Sequence, residues 1–165
     1  MRFYRILGLC TLFIALISNV SCKKENSNNQ VIINQEVTFT KEGNLKILKP
    51  DSTLVAAYEI EIADNDYEIQ TGLMYRSKMR EDRGMLFIFE EEEPRYFYMK
   101  NTEISLDLLY INKDNVVVSL YKNAMPLDEA TLPASNPATY VFEINGGLID
   151  KLKIEEGYLI NFSRD

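Results

Sequence analysis

Gly84-Met85-Leu86-Phe87-Ile88-Phe89 is the stretch that decides the fold. After its glycine every position is apolar, so both faces of an extended chain would be buried, as in a central strand. Around it the chain divides into short β-type runs. Upstream, Val37–Thr40 and Leu54–Ile62 predict two strands, and in the second Ile60 and Ile62 alternate with Glu59 and Glu61. Downstream, Glu90–Pro94 reads as a turn, and Tyr96–Asn101 and Ile104–Ile111 predict further strands. Lys113-Asp114-Asn115 links the latter to Val116–Leu120 as a hairpin, Ala138–Ile144 is another strand before Asn145-Gly146-Gly147, and Tyr158–Phe162 closes the chain. Helical signals are few. Asn65 and Glu68 have capping-box spacing, and Ile69, Leu73 and Arg76 follow at steps of three to four, predicting a short helix over residues 66–75. Leu148–Leu152 reads as a helical turn. The expected class is α+β, mainly β, built on a mixed sheet with one or two short helices.

Length and composition bound the rest. A chain of 165 residues has room for one domain and a short appendage. Hydrophobic residues at 46% and charged residues at 26% describe an ordinary globular chain and exclude collagen-like or wholly disordered readings. Histidine is absent and Cys10 and Cys22 are the only cysteines. That excludes Ser-His-Asp and Cys-His catalysis, histidine zinc sites and a disulfide framework in the folded part.

The N-terminus reads as an address. Arg2 and Arg5 precede the mostly apolar run Ile6–Ile17, and Ser18, Asn19 and Ser21 follow before Cys22. This is the layout of a secretory signal, and the run falls short of the roughly 18 apolar residues of a permanent span. A cysteine directly after a small residue resembles a bacterial lipoprotein signal, with residues 1–21 removed and lipid carried on Cys22. Asn19 departs from the aliphatic residue usual in such signals, and the alternatives are an ordinary signal leaving Cys22 free or an uncleaved anchor. Two or three acyl chains would hold the protein at a membrane without a spanning helix. Loss of Arg2 and Arg5 leaves 16 Lys+Arg against 25 Asp+Glu, a net −9, so the mature chain is acidic. Such a body repels phosphate backbones, and no nucleic-acid partner is expected. Residues 22–35 are polar and Asn-rich at first, as a flexible tether would be, and one domain is expected over residues 36–165.

Four separated blocks resemble the bacterial and archaeal domain-of-unknown-function 192 (DUF192) family. They are Gln70-Thr71-Gly72-Leu73-Met74-Tyr75-Arg76, the Gly84–Phe89 run, Phe97-Tyr98-Met99-Lys100-Asn101-Thr102 with Ile104, Leu106 and Asp107, and Tyr140-Val141-Phe142-Glu143 before Gly146-Gly147. Tyr98 stands where the family commonly has Trp, and Ser105 where a Pro is common. The resemblance spans about Leu54 to Phe162. It implies a small, partly closed barrel-like domain, often exported or lipid-anchored, and it brings no established activity.

Candidate chemistry is therefore argued from the residues. On a strand over Arg95–Asn101, Tyr96, Tyr98 and Lys100 share one face, which is either a surface for an acidic or sugar-like ligand or a plain barrel wall. Asp107, flanked by Leu106, Leu108 and Leu109, reads as a buried carboxylate in need of a partner. Arg76, Lys100 and the Asn101-Thr102 pair are the candidates. Glu143 with Asp107 would make a carboxylate pair for acid–base chemistry at suitable separation. Ser105 and Lys100, about 16 Å apart along a strand, do not suit a nucleophile and base. Met74, Met85 and Met99 suit Cu(I) in principle and core packing far better. Glu90–Glu93 and Asp64–Glu68 lack the pattern of a calcium loop. No metal and no cofactor is expected. Two functions follow: a membrane-tethered module binding a small molecule or envelope component near Arg76, Tyr98, Lys100, Asn101, Thr102, Asp107 and Glu143, or a hydrolase- or lyase-like envelope enzyme using carboxylates.

Overall fold

The computed structural model describes residues 37–165. The signal (residues 1–21), Cys22 and the tether (22–35) lie outside these described residues.

The first strand, β1 (Gly43–Leu48), is followed by β2 (Leu54–Ala63), helix α1 (Asp66–Thr71) and β3 (Arg83–Glu93). Then come β4 (Tyr96–Phe97), β5 (Leu106–Ile111), β6 (Val117–Ala124), β7 (Leu132–Pro133), β8 (Ala138–Asn145), α2 (Leu148–Leu152) and β9 (Leu159–Arg164). Seven strands form one sheet in the order β6-β5-β8-β3-β2-β1-β9, and β4 and β7 make a small second one. Within the large sheet β2 and β3 pair in parallel and the other neighbours antiparallel. Parallel neighbours need a crossover, and α1 with residues 72–82 supplies it.

The sheet curls but does not close. Its edges β6 and β9 share no ladder and meet only at one end, through the bridge between Val116 and Leu159 and a Val117 N–H donated to the Tyr158 carbonyl at 2.8 Å. The expected mixed, mainly β architecture is present, while the barrel-like description holds only to that extent.

Both faces are buried in the middle of the sheet, which explains the unbroken apolar run in β3. The inner face packs Leu45, Ile60, Leu86, Leu109 and Phe142 with Leu148 and Ile149 of α2. The outer face packs Met85, Phe87, Leu108, Tyr110 and Val141 under the loops carrying Leu73, Met99 and Leu132. All six residues of β5 are buried for the same reason.

Several local expectations are corrected. No strand forms at residues 37–40; the first is β1, whose Leu45 and Ile47 point inward between exposed Asn44 and Lys46. The glutamate run does not turn, because β3 continues through Glu93. The helix starts as expected, with Asn65 accepting the Glu68 N–H at 3.0 Å as N-cap, but stops at Thr71, after which Gly72 leaves helical space at φ 47°. Tyr96–Asn101 is a strand for only its first two residues. It then enters a turn in which Thr102 N–H donates to the Met99 carbonyl at 3.0 Å and Asn101 has φ 55°.

Candidate functional site

Strand register determines which acids can meet. Glu61 of β2 stands opposite Met85 of β3, Met85 opposite Glu143 of β8, and Glu143 opposite Leu108 of β5. Residues in register share a face, so Glu61 and Glu143 lie in one row on the outer face, two strands apart. Asp107 is in register with Ile144 and faces the other way. The Glu143–Asp107 pair anticipated from the sequence is not assembled.

The three buried acids are treated differently. Asp107, fully buried, accepts the backbone N–H groups of Asn123 and Ile149, each at 2.7 Å. It thereby fastens the start of α2 to β5 and β6, as a charge-assisted capping group does. Glu61 receives Arg76 in a bidentate pair, with Nη1 at 2.6 Å from Oε2 and Nη2 donating to Oε1 at 3.0 Å. The Thr40 N–H adds a third contact to Glu61 at 3.0 Å. Arg76 is therefore committed to Glu61 rather than to Asp107. Glu143 is 5% exposed and has no hydrogen-bond or ionic partner among the described residues. Burial alone pushes its carboxyl up to about 8, because the charged form is desolvated with nothing to compensate it. Burial, and then the nearby Glu143 charge, push the Tyr110 hydroxyl well above its usual range, and that hydroxyl donates to the Leu132 carbonyl at 2.7 Å.

Glu143 lines a cleft of about 340 Å³. The wall from the 70–76 block carries Gly72, Leu73 and Met74. Phe87 and Phe89 of β3 contribute from the second block, and Phe97, Tyr98 and Thr102 from the third. With Glu143 from the fourth, every stretch that carries the sequence resemblance converges on this one space. Phe97 organises the aromatic side, standing edge-to-face to Phe87 at 5.0 Å and to Tyr110 at 6.1 Å between centroids. Gly72 keeps the cleft open, since a Cβ there would lie 3.0 Å from the Phe87 ring and its φ of +47° is costly for any other residue.

Arg95 also lines the cleft. Its guanidinium lies 3.9 Å from the Phe89 ring centroid, Nε donates to the Ala138 carbonyl at 3.0 Å, and Nη2 donates to the Glu91 carbonyl.

The remaining sequence candidates divide. Tyr98 and Thr102 reach the cleft. Asn101 ties the loop to its neighbour, accepting the Tyr75 N–H at 2.7 Å through its carbonyl and donating Nδ2 to the Tyr75 hydroxyl at 2.9 Å. Lys100 is exposed with no ion pair among the described residues. Phe87, Phe97 and Arg95 carry no site signal in the sequence, although the first two lie inside the blocks of the family resemblance. A second cleft, of about 470 Å³, borders Phe39, Arg76, Arg80 and Arg83. These guanidiniums already have acids: Arg76 has Glu61, Arg80 has Asp82, and Arg83 has Glu59 at 3.2 Å.

Residues 46–162 match the model of the DUF192 family, described as an uncharacterized ACR. The chain belongs to the DUF192 family. No curated protein matches it. Two solved structures share the fold of this DUF192 domain. One, a Sinorhizobium meliloti protein provisionally described as a transcription regulator, is 33% identical with a TM-score of 0.71, over 77% of this chain and 97% of that one. The other, a Novosphingobium aromaticivorans protein of unknown function, is 33% identical with a TM-score of 0.68, over 72% of this chain and 83% of that one.

Proposed function

We propose that this DUF192 protein is a lipid-tethered module of the bacterial cell envelope that binds a small molecule in the Glu143 cleft. The observation that carries the reading is a buried carboxyl, without a partner among the described residues, facing a cleft whose walls come from all four blocks of the family resemblance. A carboxyl held in a nearly buried position without a protein partner costs stability, and groups with strongly perturbed environments concentrate at binding and reaction sites. The tether rests on Arg2, Arg5, the run Ile6–Ile17 and Cys22. Among the described residues no helix is long and apolar enough to cross a membrane.

The carboxylate-enzyme reading loses its second acid, because Asp107 faces away and Glu61 is neutralised by Arg76. The regulator description of the Sinorhizobium protein is not extended to this chain. A net charge of −7, with Glu90–Glu93 beside the cleft, opposes contact with nucleic-acid phosphates.

Two measurements test the proposal. In a fragment screen of the methyl-labelled full chain, bound fragments should move the NMR signals of Leu73 and Met74; a library that leaves both unmoved overturns the binding reading. Intact-mass spectrometry of the chain expressed in a bacterium, beside Cys22→Ala, should give a species starting at Cys22 with added acyl mass. An unlipidated mature species overturns the tether.

A further inference from the structure

Resting on the binding reading above, we propose that the Glu143 cleft takes an organic cation, with an ammonium group on the Glu143 carboxylate and an apolar arm against Phe87, Phe97 and Tyr98. Three independent features point to this class.

The first is the deficit at the floor. Neighbouring acids on the same sheet have donors: Glu61 has Arg76 and the Thr40 N–H, and Asp107 has two backbone N–H groups. Glu143 has none among the described residues; in its carboxylate form it can only accept, and a positively charged donor suits that form best. The second is the wall. Phe87, Phe89, Phe97, Tyr96 and Tyr98 all border the cleft, and ring faces attract cations. The wall already does so once, with the Arg95 guanidinium seated on Phe89. That guanidinium is held by the Ala138 and Glu91 carbonyls and lies near Glu93, so it is tied to the rim rather than to Glu143. The third is the field. Glu90–Glu93 extend β3 directly beyond Phe89, which lines the cleft, and these exposed acids give that end of the strand a negative field that favours cations over anions.

Binding has a defined proton balance. The charged or titratable groups facing Glu143 are Tyr110 on β5, whose hydroxyl stays protonated, the Glu61–Arg76 pair in the same row, and Arg95 at the rim. A protonated Glu143 carboxyl meeting a solvated ammonium gives a carboxylate–ammonium pair and one proton released to solvent. No other bond forms or breaks.

The test uses benzylamine and its neutral counterpart benzyl alcohol on the full chain in detergent, by calorimetry at pH 7 in buffers of different ionisation heat. Benzylamine should bind with release of close to one proton, and Glu143→Gln should weaken it by about tenfold or more and abolish the release. Benzyl alcohol should bind more weakly and be indifferent to Glu143→Gln. If benzyl alcohol binds as well as benzylamine, or Glu143→Gln leaves benzylamine binding unchanged, the cation class is wrong and the cleft remains a binding site for neutral ligands. If neither probe binds while screening fragments still move Leu73 and Met74, the cation inference is overturned and the binding reading stands. If nothing moves those signals, both fall.

Discussion

Glu143 should impose a pH dependence on folding that runs from the ordinary carboxyl range up to neutrality and beyond. Unfolded, its carboxyl ionises near the usual 4.5; folded, burial holds the proton up to about 8. Between those values the folded chain binds one more proton than the unfolded chain, so stability falls as pH rises. The contribution is complete below pH 4.5 and lost as pH passes 8. At 1.36 kcal/mol for each pH unit, the whole window amounts to about 5 kcal/mol, with about 3 kcal/mol already gone at neutrality. That is a large share of the 5 to 15 kcal/mol by which such domains are usually stable, hence roughly the cost of keeping the site. The window is clean because the chain has no histidine, and ordinary carboxyls finish titrating near its lower end. Urea unfolding of the wild type at pH 5, 6, 7 and 8 should therefore show stability declining by about 1 kcal/mol per pH unit, and Glu143→Gln should be flat. The amide could shift the whole curve through its own unmet hydrogen bonds, so the slope and not the offset is decisive. A wild-type profile as flat as the variant's would show that Glu143 finds a partner or water, and the reasoning about the cleft would fail with it.

Other consequences are local. Asp107→Ala leaves the Asn123 and Ile149 N–H groups unmet and should cost about 3 kcal/mol or more by urea unfolding, while Asp107→Asn keeps one acceptor and costs less. Arg76→Met strands the Glu61 charge and should cost about 3 to 5 kcal/mol, most of it recovered in Arg76→Met with Glu61→Met. A double variant as unstable as the single one would refute that account. Gly72→Ala should cost about 1 to 3 kcal/mol through its positive φ and press on Phe87, weakening any fragment that moves the Leu73 signal.

Local pattern was enough for much of the fold. The alternation in Leu54–Ile62, the unbroken run in Gly84–Phe89, the hairpin at Lys113–Asn115 and the Asn65 cap each act through near neighbours in the chain, and all reappear as β2, β3, the β5–β6 hairpin and α1. Where a local signal competed with a distant one, it failed. Val37–Thr40 has the better β composition, but Leu45 and Ile47 have Tyr58 and Ala56 on one side and Phe162 and Ile160 on the other, so the strand forms there. Tyr96–Asn101 alternates correctly, with Met99 buried between exposed Tyr98 and Lys100, but pairs only with the two residues of β7 and bends at Asn101.

For the site, the sequence by itself determined the inventory: no imidazole, abundant acids, a buried-looking carboxyl at Asp107 and a second candidate acid at Glu143. Only the tertiary structure decided which acid receives which donor. Register places Asp107 inward against the N–H groups at α2 and Glu143 outward beside Met85, while the crossover after β2 carries Arg76 to Glu61. A carboxylate's partner is set by strands tens of residues apart. A one-residue change in register exchanges the faces, and no local periodicity encodes that choice.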